Sequence, residues 1–561
     1  MVKKIVIVGG VAGGASAAAR LRRISEDVEI VMFERGEYIS FANCGLPYFI
    51  GETIKERNEL IVQTVEGMAK KFNMTIRTLS EVMSINRKEQ TVTVKNLKTG
   101  EIYDETYDRL LLSPGAKPIV PTISGMDENE SVFTLRNIPD TDRIKSFVDE
   151  RKPKKAVVVG GGFIGIEMAE NLHRRGLDVT IVEMAQQTMT PIDYEMACLL
   201  HNHIREKGVK LVLENGVKAF QDRGKKIVLS DGTILETDLT ILSIGVQPEN
   251  DLAKKAELSI GEKGGIIVNE YLQTSDENIY AVGDAIEVTN VLNGEKTQLP
   301  LAGPANRQGR IAANNMMGKR EKYEGVLGTS IAKVFDLTVA VTGNNEKTLK
   351  RLGISYEVIH IHPLSHAGYY PGAMPINLKF IFDKETGKIY GAQAVGMEGV
   401  DKRIDVLATA IKGGLTVEDL TNVELAYAPP YSSAKDPVNM AGYVASNIRL
   451  GDLEQIQWYD VDQVKHKGII IDVREEEELT VGKIEGSFNI PLGQLREKIS
   501  LLPKQQPIYV YCQVGLRGYI AYRILKSNGF NVKNIDGGWM TYAAYRSDQM
   551  AKSQQKREMV I

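Results

Sequence analysis

Cysteine is nearly absent: three residues in 561, at positions 44, 198 and 512. So few thiols, so far apart, exclude a disulfide framework. They fit a reducing, cytoplasmic compartment in which a thiol is kept for chemistry. Long apolar runs are missing too. None approaches the ~18–20 residues that a bilayer-spanning helix needs, which argues against a membrane protein. Neither sign of charge dominates. The 69 Lys+Arg against 72 Asp+Glu give a formal net charge of −3, so bulk charge offers no purchase to nucleic acid or a membrane surface. What is present is ordinary for a soluble chain, 43% hydrophobic and 25% charged, with length for roughly three to five domains. The opening MVKKIVIVGGVAGG runs straight from a short apolar stretch into glycines, so it reads as a first β-strand and not as a leader.

One device occurs twice. KKIVIVGGVAGGASAAARL and KKAVVVGGGFIGIEMAENL (154–172) are each a buried strand, a glycine turn and a helix. Glycines let the backbone approach a pyrophosphate, and the new helix points free N–H groups at it. The second copy fits G-x-G-x-x-G at Gly160, Gly162 and Gly165. The first has Gly9 and Gly14, with Val11 in the middle place. A second strand follows each turn and ends in an acid, Glu34 in VEIVMFE and Glu183 in DVTIVE. Such a carboxylate accepts from ribose hydroxyls. A single acid at a strand end would be a plain surface acid, but two at matched spacing point to function. No arginine follows Glu183 to hold a 2′-phosphate, which favours NADH over NADPH. A third signal, TSDENIYAVGDA (274–285), runs an apolar strand into Gly283 and Asp284.

These segments, with LLLSPGAKP (110–118) and ILSIGVQPE (241–249), occur in the order found in the flavin-containing pyridine-nucleotide disulfide oxidoreductases, which the sequence resembles over about residues 1–445. The resemblance implies FAD and NAD(P)H, with Asp284 on the flavin ribityl chain.

Many members of that family carry a C-x-x-x-x-C pair. Here Cys44 stands alone in SFANCGLPYFIG (40–51), with Phe49 in the partner's place. A single thiol cycles through a sulfenate, a mixed disulfide or a persulfide. Its place at a helix start predicts a thiolate favoured by free N–H groups. Two single-cysteine branches compete. NADH oxidases and peroxidases have a histidine in the first glycine turn, where this chain has Ala12, and no histidine precedes position 173. Coenzyme A disulfide reductases carry S-x-x-N-C, which Ser40, Asn43 and Cys44 match. That resemblance implies coenzyme A as ligand. Arg20 and Arg23 become phosphate contacts, Lys71 and Arg307 further candidates, and Ser40 and Asn43 groups that orient the thiol or the pantetheine. It also implies a homodimer with shared active sites. Two tyrosines of HAGYYPGAMP (366–375) and LAYAPPYSSAKDP (425–437), aligned as Tyr369 and Tyr427 with Tyr370 and Tyr431 as rivals, would hydrogen-bond the leaving thiolate in the partner's site. His360, His362 and His366 read as structural, with no metal, and Cys198 as packing only.

A new unit begins after about residue 450. GIIIDVREEEEL (468–479), GSFNIPL (486–492), IYVYCQVGLRGYIAYRIL (508–525) and DGGW (536–539) alternate strand and helix as in a small parallel α/β domain. A cysteine between a strand end and a helix start lies in a ring of N–H groups that stabilises a thiolate or persulfide. Arg517 adds positive charge and pins the loop. Residues 452–545 resemble a rhodanese domain, with Lys483 in a G-K-I that departs from the common G-H-I. The resemblance implies a persulfide on Cys512. The polar end RSDQMAKSQQKREMVI is expected to be an exposed helix or disordered.

The expected fold class is α/β: two Rossmann-like dinucleotide-binding domains, an α+β dimerisation domain and a C-terminal rhodanese-like domain. The predicted bounds are 1–152 and 241–325 for FAD, 153–240 for NAD(P)H, 326–448 for dimerisation and 452–550 for rhodanese. The expected activity is NAD(P)H-driven reduction of coenzyme A disulfide, persulfide or polysulfide. The alternatives are an NADH oxidase or peroxidase with an accessory domain, and a redox-sensing module in which Cys512 is regulatory.

Overall fold

The computed structural model describes residues 2–126 and 129–558. The chain forms two compact units. One joins the residues up to Ala185 with Val212–Val326, and the other joins Gln186–Leu211 with the residues from Leu327 onward.

In the first unit the strand Lys4–Val8 pairs in parallel with Glu29–Phe33 and Arg109–Leu112. Thr75–Arg77 and Ile279–Ala281 lie outside these, also parallel. Ile5, Val6 and Ile7 are wholly buried, as an unbroken apolar run must be in a parallel sheet covered on both faces. Val8 stands opposite Phe33 and Leu112, and Leu112 opposite Ala281. Gly9, Glu34, Ser113 and the run into Asp284 therefore leave the sheet along one edge. The second copy repeats this register. Val159 of Lys155–Val159 faces Val182 and Leu242, so Gly160, Glu183 and Ser243 emerge together. Two antiparallel meanders, Ser80–Asn86 to Ile102–Thr106 and Val217–Gln221 to Ile234–Glu236, also belong to this unit.

The second unit contains an antiparallel sheet in the order Ser330–Val334, Leu337–Gly343, Ile389–Gly396, Ile376–Phe382, Glu357–Ile361. Its helices include Tyr194–Glu206, Val400–Gly413 and Pro437–Arg449. A parallel sheet follows, ordered Gln455–Ile456, Val532–Ile535, Ile508–Tyr511, Ile469–Asp472, Phe488–Asn489. The fold class is thus the α/β arrangement that the sequence predicts. Among the described residues, no helix is long and apolar enough to cross a membrane.

The C-terminal segment is the helix expected as one alternative, but it is not exposed throughout. It continues the helix Gly538–Glu558, and its Asp548 is wholly buried. Tyr194 Oη donates to Asp548 at 2.6 Å and Arg205 Nη1 at 2.7 Å, and His201 Nδ1 lies 3.2 Å away. Lys552, one turn on, donates to the Gln186 carbonyl at 2.9 Å. Polar composition reads as solvated, but here one polar face meets Tyr194, His201 and the Arg205 cation on Tyr194–Glu206 and docks. Residues 559–561 of that expectation lie outside the described residues. Cys198 is likewise more than packing: its Sγ lies 3.7 Å from the Asp548 carboxylate, and burial with that charge pushes its thiol up.

Candidate active sites

The two glycine turns are built alike. Gly9 and Gly160 have φ of +99° and +108°, and a Cβ would lie 2.1 Å from the Ser113 carbonyl oxygen and 2.4 Å from that of Ser243. Only glycine fits both demands. Gly14 and Gly165 let the helix start close over Gly9 and Gly160 in turn. Gly162 is different, because a Cβ there would meet nothing within 4 Å. The opening above that turn suits a pyrophosphate, so the residues present fit a dinucleotide. Glu34 accepts Gly10 N–H at 2.9 Å and Gly36 N–H at 2.8 Å. Glu183 accepts Gly161 N–H at 2.7 Å and Ala185 N–H at 2.8 Å. Each oxygen spends one lone pair on the turn and keeps the other for a ribose hydroxyl. Asp284 sits in the short turn Gly283–Ala285, and burial pushes its carboxyl up to about 6 against the pull of Arg136.

Cys44 is the exposed cysteine of the three. It lies in a tight turn, Asn43–Gly45, whose Gly45 N–H bonds the Ala42 carbonyl at 2.9 Å. Ser40, just before, holds a left-handed backbone with φ +44°, a strain of about 1–3 kcal/mol that marks functional turns. The Ser40 carbonyl accepts Val62 N–H at 2.9 Å. The expectation of a helix-stabilised thiolate is not met. The helix that follows, Leu46–Ile50, has only five residues. The residue is exposed, but its thiol is partly desolvated, and that, then the carboxylates of Glu167 and Asp284, push the thiol up. Glu167 itself is held up at about 7, mainly by burial, and accepts Tyr48 Oη–H at 3.3 Å. Sequence reasoning missed Glu167. Its signal was an acid two residues past the last fingerprint glycine, on the helix Phe163–Arg174.

The candidate phosphate contacts separate. Arg20 bonds Asn314 Oδ1 at 2.8 Å, and Arg23, Lys71, Arg307 and Asn43 are exposed. Lys71 also lies 5.5 Å from the Phe72 ring centroid. Arg22, beside them in sequence, is buried and donates to five backbone carbonyls, among them Val28 and Asn73.

In the second unit the hydroxyl oxygens of Tyr369 and Tyr427 lie 2.7 Å apart, with 75% and 47% of each residue exposed. Tyr370 instead packs edge-on against His366 at 5.6 Å. Beneath both loops lies Arg403, a residue sequence reasoning missed. Its Nη2 donates to the Ser365 carbonyl at 2.9 Å, to Ser432 Oγ at 3.1 Å and to Asp436 Oδ2 at 3.0 Å.

Cys512 follows the strand Ile508–Tyr511, is fully buried, and its Sγ accepts Gly515 N–H at 3.1 Å at the start of the helix Leu516–Ser527. Arg517 brings its positive charge to Cys512, as expected, and shares it with Glu478. Its two terminal nitrogens pair with Glu478 at 2.5 and 2.7 Å. Arg474, wholly buried, pairs with Asp472 at 2.7 Å. Lys483 is exposed. Among the described residues two clusters have metal-ligand types, Cys198/His201/Asp548 and Asp193/Glu195/Glu346. Protein cations already fill them: Arg205 bonds Asp548, and Lys379 Nζ lies 2.9 Å from Asp193 and 2.5 Å from Glu346.

Residues 3–309 match the pyridine nucleotide-disulphide oxidoreductase family, 329–437 the dimerisation domain of that family and 456–545 the rhodanese-like domain. A coenzyme A disulfide reductase of Staphylococcus haemolyticus is 39% identical over 447 residues, which is 80% of this chain and 100% of that one. The crystal structure of reduced Bacillus anthracis CoADR-RHD is 59% identical with a TM-score of 0.96, covering 97% of this chain and 98% of that one. An NAD-dependent persulfide reductase from A. fulgidus is 40% identical with a TM-score of 0.91, covering 96% and 100%.

Proposed function

We propose, on the premise that this chain belongs to the pyridine nucleotide-disulphide oxidoreductase family, that it reduces coenzyme A disulfide and coenzyme A persulfide or polysulfide through Cys44. The observation that carries the reading is the isolation of that thiol: one exposed cysteine, close enough to Asp284 to feel its charge, with Phe49 where a second cysteine would sit. The Gly9–Gly14 turn, Glu34 and Asp284 would hold FAD, the Gly160–Gly165 turn and Glu183 would hold NADH or NADPH, and the bound pair would supply two electrons to the Cys44 sulfur.

Cys44 thiolate attacks one sulfur of the disulfide, giving a Cys44–coenzyme A mixed disulfide and one coenzyme A thiolate. Two electrons then cleave the mixed disulfide to Cys44 thiolate and a second coenzyme A thiolate. With a persulfide, the attack takes the outer sulfur onto Cys44 and releases coenzyme A thiolate. Two electrons return Cys44 thiolate and HS⁻. Arg20, Arg23, Lys71 and Arg307 hold the ligand's phosphates, and Ser40 and Asn43 orient the thiol end. The protein acts as a homodimer. Tyr369 and Tyr427 then donate hydrogen bonds to the leaving thiolate in the partner's site, an electrostatic role worth most away from water. Cys512, in its ring of N–H groups, carries sulfane sulfur as a persulfide. A reducing, cytoplasmic setting suits three unpaired cysteines.

Intact-mass measurement before and after dithiothreitol tests this. A reducible adduct on Cys44 of the mass of coenzyme A supports it. A bare thiol or a single added oxygen would favour the oxidase–peroxidase chemistry instead.

A further inference from the structure

The histidine pair His360 and His362 has no part in the chemistry so far, yet it lies against the turn that closes the C-terminal unit. That turn, Asp536 to Gly538, is gripped from two sides. On one side it holds the Cys512 loop by its backbone. Trp539 N–H donates to the Cys512 carbonyl at 2.8 Å, and Met540 N–H to that of Gln513 at 3.1 Å. Gly538 has φ +58°, and a Cβ there would lie 2.4 Å from the Cys512 carbonyl oxygen, so turn and loop meet with no side chain between them.

On the other side the turn is held by the strand Glu357–Ile361, which lies within the dimerisation-domain match and outside the rhodanese-like one. Both Asp536 carboxylate oxygens accept His360 backbone N–H at 3.0 Å, and Oδ2 takes His360 Nδ1–H at 2.6 Å. His360 Nε2 lies 3.0 Å from Glu195 Oε1. Both ring nitrogens face carboxylates, so both carry protons. Burial opposes the charge, but the two acids prevail and hold the imidazolium up at about 9. Glu195 in turn pairs with the buried Lys379. His360, Glu195 and Asp536 are all nearly inaccessible. Alternating charges in such a place fix geometry, since each partner left alone would be an uncompensated buried ion.

We propose that His360 is a positioning residue for the Cys512 thiol. Through Asp536 it sets the turn that fixes the Cys512–Gly515 loop, so a strand of the dimerisation domain completes the sulfur-transfer site. The inference rests on Cys512 being the sulfur carrier.

The test compares His360→Gln with His360→Asn in the full-length, flavin-loaded protein. The asparagine amide stands where Nδ1 does and can reach Asp536. The glutamine amide stands where Nε2 does and cannot. Two rates are read: sulfur transfer from thiosulfate to cyanide, and iodoacetamide alkylation of Cys512 followed by peptide mass. H360Q should lower kcat about tenfold with KM within about twofold, as expected for a displaced rather than unbound reacting group. H360N should recover most of the loss, and NADH-driven disulfide reduction should be unchanged in both. Wild-type kcat in H360Q, or equal losses in H360Q and H360N, overturns the proposal. Should H360Q fail to fold, as seen in emission from Trp458 and Trp539, Asp536→Asn carries the test: a kcat like wild type overturns the proposal, and a fall supports it. If wild type and C512S transfer sulfur equally slowly, the carrier reading has failed. Alkylation of Cys512 still decides positioning, because a rate altered in H360Q and restored in H360N supports it and an unaltered rate overturns it.

Discussion

Arg403 Nη2 stands 3.0 Å from Asp436 Oδ2, sealed beneath two loops that lie far apart in sequence. The same guanidinium holds the Ser365 carbonyl and Ser432 Oγ, so it ties the loop that leads to Tyr369 to the one that follows Tyr427. Arg403→Met removes the guanidinium and leaves the buried Asp436 carboxylate with Ser432 Oγ–H, Val438 N–H and the more distant Lys402, at 3.6 Å. The expected loss is about 3–5 kcal/mol of stability. Thermal unfolding of the variant checks it. Disulfide reduction should fall as well, and Arg403→Lys should fall short of full rescue, because one ammonium lacks the guanidinium's fork.

The Tyr369 and Tyr427 hydroxyls share one hydrogen bond. Tyr369→Phe, Tyr427→Phe and the double variant should each lower kcat for coenzyme A disulfide by about 10². The double should be little worse than either single, since the pair acts as one donor group. Steady-state kinetics on all three variants checks the non-additivity. Fully additive losses would mean that the hydroxyls act separately.

Burial, and after it the charges of Glu167 and Asp284, hold the Cys44 thiol up. Glu167→Gln removes one of the two charges, lowers the thiol's pKa and speeds its alkylation by iodoacetamide at pH 7.5. An unchanged rate would show that the Glu167 charge does not act on the thiol. Stability follows with a definite sign. Glu167 is raised in the folded state from its ordinary 4.5 to about 7. Its ionisation therefore opposes folding increasingly as pH rises from about 4.5 through 7. Glu167→Gln should match wild type below about pH 4.5, gain on it as pH rises to about 7, and keep that gain above.

Gly160 and Gly162 are separated by one residue but by very different surroundings. Gly160→Ala forces a Cβ against the Ser243 carbonyl at positive φ and should cost about 1–3 kcal/mol. Gly162→Ala adds a Cβ where the protein has nothing. It should leave unfolding unchanged and raise KM for the nicotinamide cofactor. Calorimetry and cofactor titration separate the two. A destabilised G162A would show that the space belongs to the protein.

His360 is raised in the fold to about 9 from 6.5. Its contribution to stability is complete below about pH 6.5 and is lost as pH rises through about 9. Both tryptophans, Trp458 and Trp539, lie in the C-terminal unit, so their emission reports on it selectively. Urea midpoints followed by tryptophan emission should fall between pH 7 and 10 in wild type. The fall should be blunted in Asp536→Asn, which removes one of the two flanking charges.

The glycine turns, the acids at the strand ends and the lone thiols were legible in the sequence because each is local. A strand, a tight turn and a helix start fit within twenty residues, and the physics that shapes them acts at that range. The α/β fold class followed from the same alternation. Where local reasoning misled, a long-range partner had intervened. Cys44 stands at a helix start, but the helix is short, and desolvation together with two carboxylates from distant segments pushes the thiol up. The polar C-terminal run reads as solvated until Asp548 finds Arg205 and His201. Arg517 reads as a charge for the Cys512 loop, and the fold adds Glu478 to share it. The Tyr369–Tyr427 bond, the Arg403 tie and the His360–Asp536 clasp are each a meeting of groups that no spacing encodes. The sequence alone determined which chemical groups are present and the local turns that present them. Only the tertiary structure decided which charges face one another, because electrostatics and hydrogen bonding depend on distance in space and burial, not on distance along the chain.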